Sequence, residues 1–240
     1  MKKVFLSNLF LVSTLCFHVF AMDKDSFFEQ SDRFFETNIS DYGMVDYEKI
    51  KLNRDPLDRL LEYIHQANTG EFSEGEKKAF YINAYNLLVI GAIIDHYPVA
   101  SPMKIPSFFD GTKHKVGGVR MTLNDLENKK LRLPYNDPRI HFVLVCAAVS
   151  CPKIANYAYK PDELDEQLDQ RTKLALNDPV FIQQTAKKIL ISEIFKWYRN
   201  DFAKNDSGIL EYINKYREVP LDMSKKLDYY SYDWALNDVL

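Results

Sequence analysis

The run Arg139-Ile-His-Phe-Val-Leu-Val-Cys-Ala-Ala-Val-Ser-Cys-Pro152 carries two thiols and an imidazole through an apolar stretch. Three chemistries use such a set. A thiolate can act as nucleophile with histidine as its base; two thiols can close a disulfide; thiols and imidazole can ligate a metal. In the first, Cys151 or Cys146 is the nucleophile, His141 the base, and the amides around Ser150 are donors to the oxyanion. In the second, a Cys146–Cys151 bridge fixes the Ser150 turn. Two cysteines and one histidine at this spacing match no zinc signature, so no metal is expected.

His141 to Val149 is apolar and β-branched on both faces, which predicts a buried central strand, and Ser150-Cys151-Pro152 predicts a loop at its end. On a regular strand His141 and Cys146, five residues apart, point to opposite faces. Cys151, released into the loop, is then the better partner for His141 unless a bulge reverses the parity.

Three more polar groups interrupt apolar elements. Asn83 and Asn86, flanking Tyr85, lie three apart on one face of a helix that is apolar nearly all round. A buried carboxamide needs partners, so both either tie loops to the helix or serve the chemistry, Asn83 by orienting His141 and Asn86 by contacting substrate. Phe195 to Phe202 places Trp197 and Asp201 among core aromatics, and Tyr232 to Asn237 places Asp233 and Trp234 near the end of the chain. Asp201 or Asp233 can orient His141; the alternative is helix capping or pairing with Arg139 or Arg199. Tyr85, Arg139, Ser150, Trp197 and Trp234 complete the candidate substrate contacts.

These residues need elements to hold them. Phe27, Phe28, Ser31, Phe34 and Phe35 have helical spacing. Asp55-Pro56 predicts a capped helix start followed by the stripe Leu57, Leu60, Leu61 and Ile64. Ser73 and Glu76 form a capping box for a long helix through Asp95. Lys115 to Met121 alternates around Gly117-Gly118 as a hairpin edge, and Thr122 caps a helix through about Lys130. Pro161 opens a helix with Leu164, Leu168 and Ala175; Lys187 to Ile191 predicts a strand; Ser192 starts a helix with Ile194, Phe195, Tyr198 and Phe202. Ser207 to Tyr216 predicts one more helix and Tyr229 to Trp234 a last strand. The expected fold is α+β, a helix-dominated single domain around a small mixed β-sheet.

Lys2 and Lys3 precede an apolar run from Val4 to Phe20, with Ala21 where a signal peptidase would cut, so residues 1–21 are expected to be a signal peptide. Leu15 ahead of Cys16 argues against a lipoprotein. An uncleaved anchor is the alternative. Removal of the leader leaves 29 basic and 34 acidic side chains, a net charge of −5. That excess argues against nucleic acid as partner. The expected location is periplasmic or secreted, with no membrane association after cleavage and no cofactor.

The ordered motifs Phe80-Tyr-Ile-Asn-Ala-Tyr-Asn86, Asp137-Pro-Arg-Ile-His-Phe142 with Cys146 and Ser150-Cys-Pro152, Ile194-Phe-Lys-Trp-Tyr198 with Asp201-Phe202, and Tyr232-Asp-Trp-Ala-Leu-Asn237 resemble the family catalogued as domain of unknown function 547. The resemblance covers about Gly70 to the C-terminus, residues 70–240, and leaves 22–69 as a helical lead-in within the same globular unit. Phe80-Tyr81 departs from a tryptophan found in many members. The resemblance implies an exported bacterial member. It also implies thiol chemistry, because the cysteine pair occurs in members that look cytosolic, where a permanent disulfide is unexpected.

The expectation is therefore an exported thiol-dependent hydrolase or acyl transferase acting on an amide or ester of a small molecule or peptide. The competing expectation is a non-catalytic binding or interaction module in which a Cys146–Cys151 disulfide is structural. A thiol–disulfide oxidoreductase lacks its usual Cys-x-x-Cys spacing here.

Overall fold

The computed structural model describes residues 22–239; the expected signal peptide at 1–21, Cys16 included, lies outside the described residues. Helix α1 (Lys24–Asn38) buries Phe27, Phe28, Ser31, Phe34 and Phe35, the face their spacing predicts. Asp23 caps it by accepting from the Ser26 amide at 2.8 Å. A short helix α2 (Tyr47–Leu52) follows. In α3 (Asp55–Gln66) the cap position is Arg54, one residue before the expected Asp55, while Leu57, Leu60 and Ile64 are buried.

Helix α4 (Glu74–Ile94) begins with the expected capping box. The Ser73 amide donates to the Glu76 carboxylate at 2.7 Å and the Glu76 amide to Ser73 Oγ at 3.3 Å. From Ala79 to Ile94 every residue is buried, so α4 is the axis on which the other elements pack.

Strands β1 (His114–Val116) and β2 (Val119–Met121) form an antiparallel hairpin. Gly117 and Gly118 sit between them at φ 55° and 79°, the left-handed backbone that a two-residue turn demands. Their amides donate at 2.9 Å to the carbonyls of Ile64 and His65, so the hairpin closes the C-terminal end of α3.

Thr122 caps α5 (Leu123–Asp125), which continues as a π-helix over Leu126–Arg132 and a last turn, α6 (Leu133–Tyr135). Helix α7 (Leu164–Asn177) starts three residues after Pro161. Strands β3 (Ile182–Gln184) and β4 (Lys188–Ile191) pair antiparallel. The stretch expected as one helix after Ser192 is two short ones, α8 (Ile194–Trp197) and α9 (Arg199–Phe202); α10 (Asp206–Tyr216) follows. The final strand β5 (Lys226–Tyr229) lies parallel to β4 and ends where the expected strand at 229–234 was to begin.

One continuous core joins the lead-in to the rest. The fold is a helix-dominated α+β single domain, with two small sheets, a hairpin and a mixed three-stranded sheet, in place of one. Among the described residues no helix is long and apolar enough to cross a membrane.

Candidate functional site

The expected central strand at His141–Val149 does not form. Pro138–Phe142 is a 3-10 turn, capped by the Asp137 carboxylate accepting from the Arg139 amide at 3.1 Å, and the chain after it is irregular, with Ala147 at φ 59°. His141 to Val145, Ala147 and Ala148 are buried, as residues of a sheet interior would be, while Cys146 is partly buried and Val149 is exposed. The backbone of this run finds partners elsewhere. The Asn86 carboxamide donates to the Val143 carbonyl at 2.9 Å and accepts from the Val145 amide at 3.0 Å. The C-terminal tail takes the next residues, with Val149 N–H donating to Ala235 O and Ser150 N–H to Asp233 O.

With no strand, no parity separates His141 from Cys146. His141, Cys146 and Cys151 all line one cavity of about 360 Å³. Its walls include Tyr85, Phe109, Trp197, Tyr198, Tyr232 and Trp234. Trp197 and Trp234 stack at 5.8 Å, and Tyr232 lies 4.8 Å from each.

Behind this wall the His141 Nε2 atom lies 2.7 Å from Asp201 Oδ2. Arg132 grips the same carboxylate with two bonds, Nε to Oδ2 at 2.7 Å and Nη2 to Oδ1 at 2.9 Å. The His141 hydrogen bond, with Arg132 added and burial opposing, holds Asp201 well below the usual carboxylate range. An ionised Asp201 can only accept, so Nε2 carries the proton and donates it to Asp201 Oδ2, which leaves the Nδ1 lone pair free. The imidazole is clamped in that orientation by Tyr198, stacked at 4.2 Å.

The π-helix brings a second acid to the cluster. In an α-helix side chains five apart diverge by about 140°; the i→i+5 repeat brings them back together. Glu127 and Arg132 are five apart and both act on the His141, Tyr198 and Asp201 group. Glu127 is buried and lines the cavity. Burial raises its carboxyl above the usual range, against the pull of His141 and of the Tyr198 hydroxyl.

The two cysteines are joined as a disulfide. Its sulfurs collect donors: the Cys146 amide donates to Cys151 Sγ at 3.0 Å, and the Tyr232 hydroxyl lies 3.1 Å from Cys151 Sγ and 3.2 Å from Cys146 Sγ.

A family model described as Protein of unknown function, DUF547, matches residues 69–174. Residues 69–174 are a DUF547 segment. Comparison with curated proteins and with solved structures gave no match. The DUF547 segment supplies Tyr85, Glu127, Arg132, His141 and both cysteines. Trp197, Tyr198, Asp201, Tyr232 and Trp234 come from beyond its end, so the cavity is closed by chain on both sides of that boundary.

Several expected site residues, inside the DUF547 segment and beyond it, sit outside the cavity. Asn83 is buried and exchanges two bonds with the Tyr159 backbone, donating to its carbonyl at 2.8 Å and accepting from its amide at 2.9 Å. It therefore does not orient His141, and Asn86, holding Val143 and Val145, is not among the residues that line the cavity. Asp233 is not the orienter either: its carboxylate accepts from the Ala235 amide at 2.9 Å, its amide donates to Ser150 Oγ at 2.8 Å, and both residues line a second cavity that Cys151 also borders. The amides of Val149, Ser150 and Cys151 donate to Ala235, Asp233 and Ala148 carbonyls, which removes the expected oxyanion donors at Ser150. Arg139 faces away, engaged by Asp137, Asp165 and Asp169 at 2.7 to 2.8 Å. Among the described residues no group of three or more His, Cys, Asp or Glu side chains is gathered to hold a metal ion.

That Arg139 group anchors the His141 turn and predicts a pH effect. Burial raises the Asp137 carboxyl, but the hydrogen bonds from Arg139 and Lys78 outweigh it and leave its pKa at about 2, below the ordinary aspartate value of about 3.9. A depressed carboxylate contributes stability that is full above pH about 4 and is lost as pH falls towards 2, here about 2 kcal/mol. Unfolding free energy measured across that window should fall less steeply in Asp137→Asn than in the wild type; parallel curves would refute the assignment.

Glu127 and Arg132 were not legible as site residues. For Glu127 a signal exists: Leu123 and Leu131 are fully buried, and Glu127 lies midway between them at helical spacing, a carboxyl on an apolar stripe. Nothing in the sequence marks Arg132, because its reach depends on the π-helix.

Proposed function

We propose that the chain is an exported thiol-dependent hydrolase or acyl transferase acting on an uncharged amide or ester bound in the aromatic cavity. Cys151 is the nucleophile once its disulfide is opened, His141 the base, and Asp201 the group that orients it. The observation that carries this reading is the His141–Asp201 contact of 2.7 Å in a cavity that both sulfurs line. Two further features support it. Among the described residues no lysine or arginine lines the cavity, which suits an uncharged acyl group, and donors already aimed at Cys151 Sγ favour a thiolate there. Glu127, with its raised carboxyl, is the candidate acid for the leaving group. The leader-like residues 1–21 support export.

A non-catalytic binding module is the second reading, favoured by the closed disulfide and the stacked aromatic wall. One experiment separates them. Reduced, folded protein is treated with an electrophilic acyl probe and the adduct mapped by peptide mass. Acyl transfer predicts label on Cys151 in reduced protein and none in oxidised protein. Labelling that survives in each cysteine-to-alanine variant removes the thiol mechanism.

A further inference from the structure

We infer that the Cys146–Cys151 disulfide is itself exchange-active, attacked at Cys146 by a small uncharged thiol entering the cavity, with Cys151 departing as a stabilised thiolate. This activity supplies the free Cys151 that acyl transfer needs but stands without it.

The direction of attack follows from asymmetry. The Cys146 amide donates to Cys151 Sγ at 3.0 Å and makes the two sulfurs unequal, while the Tyr232 hydroxyl, 3.1 Å from Cys151 Sγ and 3.2 Å from Cys146 Sγ, can donate to either and turns to the one that departs. A disulfide sulfur is a weak acceptor, so these donors gain strength as negative charge develops on it. Exchange is faster when the departing thiol is the more acidic and the attacked sulfur the more accessible. Cys151 is 8% exposed, whereas Cys146 is only partly buried. Burial keeps the Tyr232 phenol far above its ordinary value, so it remains an O–H donor through neutral pH. His141 lines the same cavity with Nδ1 available to take the incoming thiol's proton. Exchange rate depends on thiolate stability and access, so the lack of Cys-x-x-Cys spacing is no obstacle.

The chemistry balances with two thiol molecules. The first, as thiolate, forms a bond to Cys146 Sγ, and the broken S–S bond leaves its electron pair on Cys151 Sγ. The second attacks the sulfur of the bound thiol and releases Cys146 as thiolate. Two thiols are oxidised to one disulfide, the protein disulfide is reduced, and the two protons pass to Cys146 and Cys151.

The test uses the oxidised, folded full chain pulsed with 2-mercaptoethanol, quenched with acid, alkylated and mapped by mass. The expected early product carries mercaptoethanol on Cys146 and alkyl label on Cys151. An adduct chiefly on Cys151, or no reaction until denaturant is added, overturns the inference. Tyr232→Phe keeps the ring against Trp197 and Trp234 and should slow exchange about three- to tenfold with the adduct still on Cys146; an unchanged rate removes the Tyr232 donor from the account. Because exchange is read by mass and acyl transfer by probe, failure of one is distinguishable from failure of the other.

Discussion

Asp201→Asn is expected to lower the rate of acyl-probe reaction at Cys151 in reduced protein by about 10²- to 10⁴-fold while the protein remains folded. The size follows from tautomer control. As an anion, Asp201 can only accept, so it fixes the proton on His141 Nε2 at 2.7 Å and leaves Nδ1 as a base. A carboxamide can instead donate to Nε2, which moves the proton to Nδ1 and removes the base from the cavity. Asparagine also leaves the Arg132 guanidinium, now held by two bonds to the carboxylate, without its counter-charge. Arg132→Met therefore serves as the control. If Asp201 acted only by neutralising Arg132, losing both charges in Asp201→Asn with Arg132→Met would restore the rate. The tautomer account predicts that the double variant stays slow. Because Asp201 is held well below the usual carboxylate range, the wild type keeps its tautomer lock into the acid range, and its rate should not fall there through loss of that anion.

What was legible in the sequence is what depends on local pattern. The Ser73/Glu76 capping box, the α1 stripe and the Gly117-Gly118 hairpin follow from spacing and turn chemistry alone, and each forms. Membership of the cavity is another matter. His141, Trp197, Trp234 and the cysteines were marked by type, yet their meeting depends on how 138–151 folds, and there periodicity misleads. An unbroken apolar run signals burial on every side, and a central strand is only one way to achieve that. Here the run is a 3-10 turn and loop whose hydrogen bonds go to a side-chain carboxamide and to the C-terminal tail. Those partners lie far away in sequence, so no local window contains them. Arg132 was invisible for a related reason: Leu126–Arg132 has an ordinary amphipathic pattern, and only the π repeat turns Arg132 and Glu127 towards the same cluster.

Asn86→Ala is expected to be among the most damaging truncations outside the aromatic core, costing about 3 kcal/mol. The carboxamide does the work of a missing neighbouring strand: it takes the Val143 carbonyl and the Val145 amide together, at 2.9 and 3.0 Å, deep inside the protein. Alanine orphans both backbone groups, each costing about 1 to 3 kcal/mol if water cannot reach it. The denaturant midpoint should fall accordingly with the slope unchanged. Asn83→Ala, which orphans the corresponding pair on Tyr159, should match it in stability. The two should differ at the site. The Asn86 bonds hold the chain directly between His141 and Cys146, so Asn86→Ala should slow thiol exchange and probe labelling under conditions where the protein is still folded, whereas Asn83→Ala should leave both rates near the wild type. Equal losses of activity in the two variants would mean that the 143–145 clamp has no special part in bringing His141 and the disulfide to one cavity.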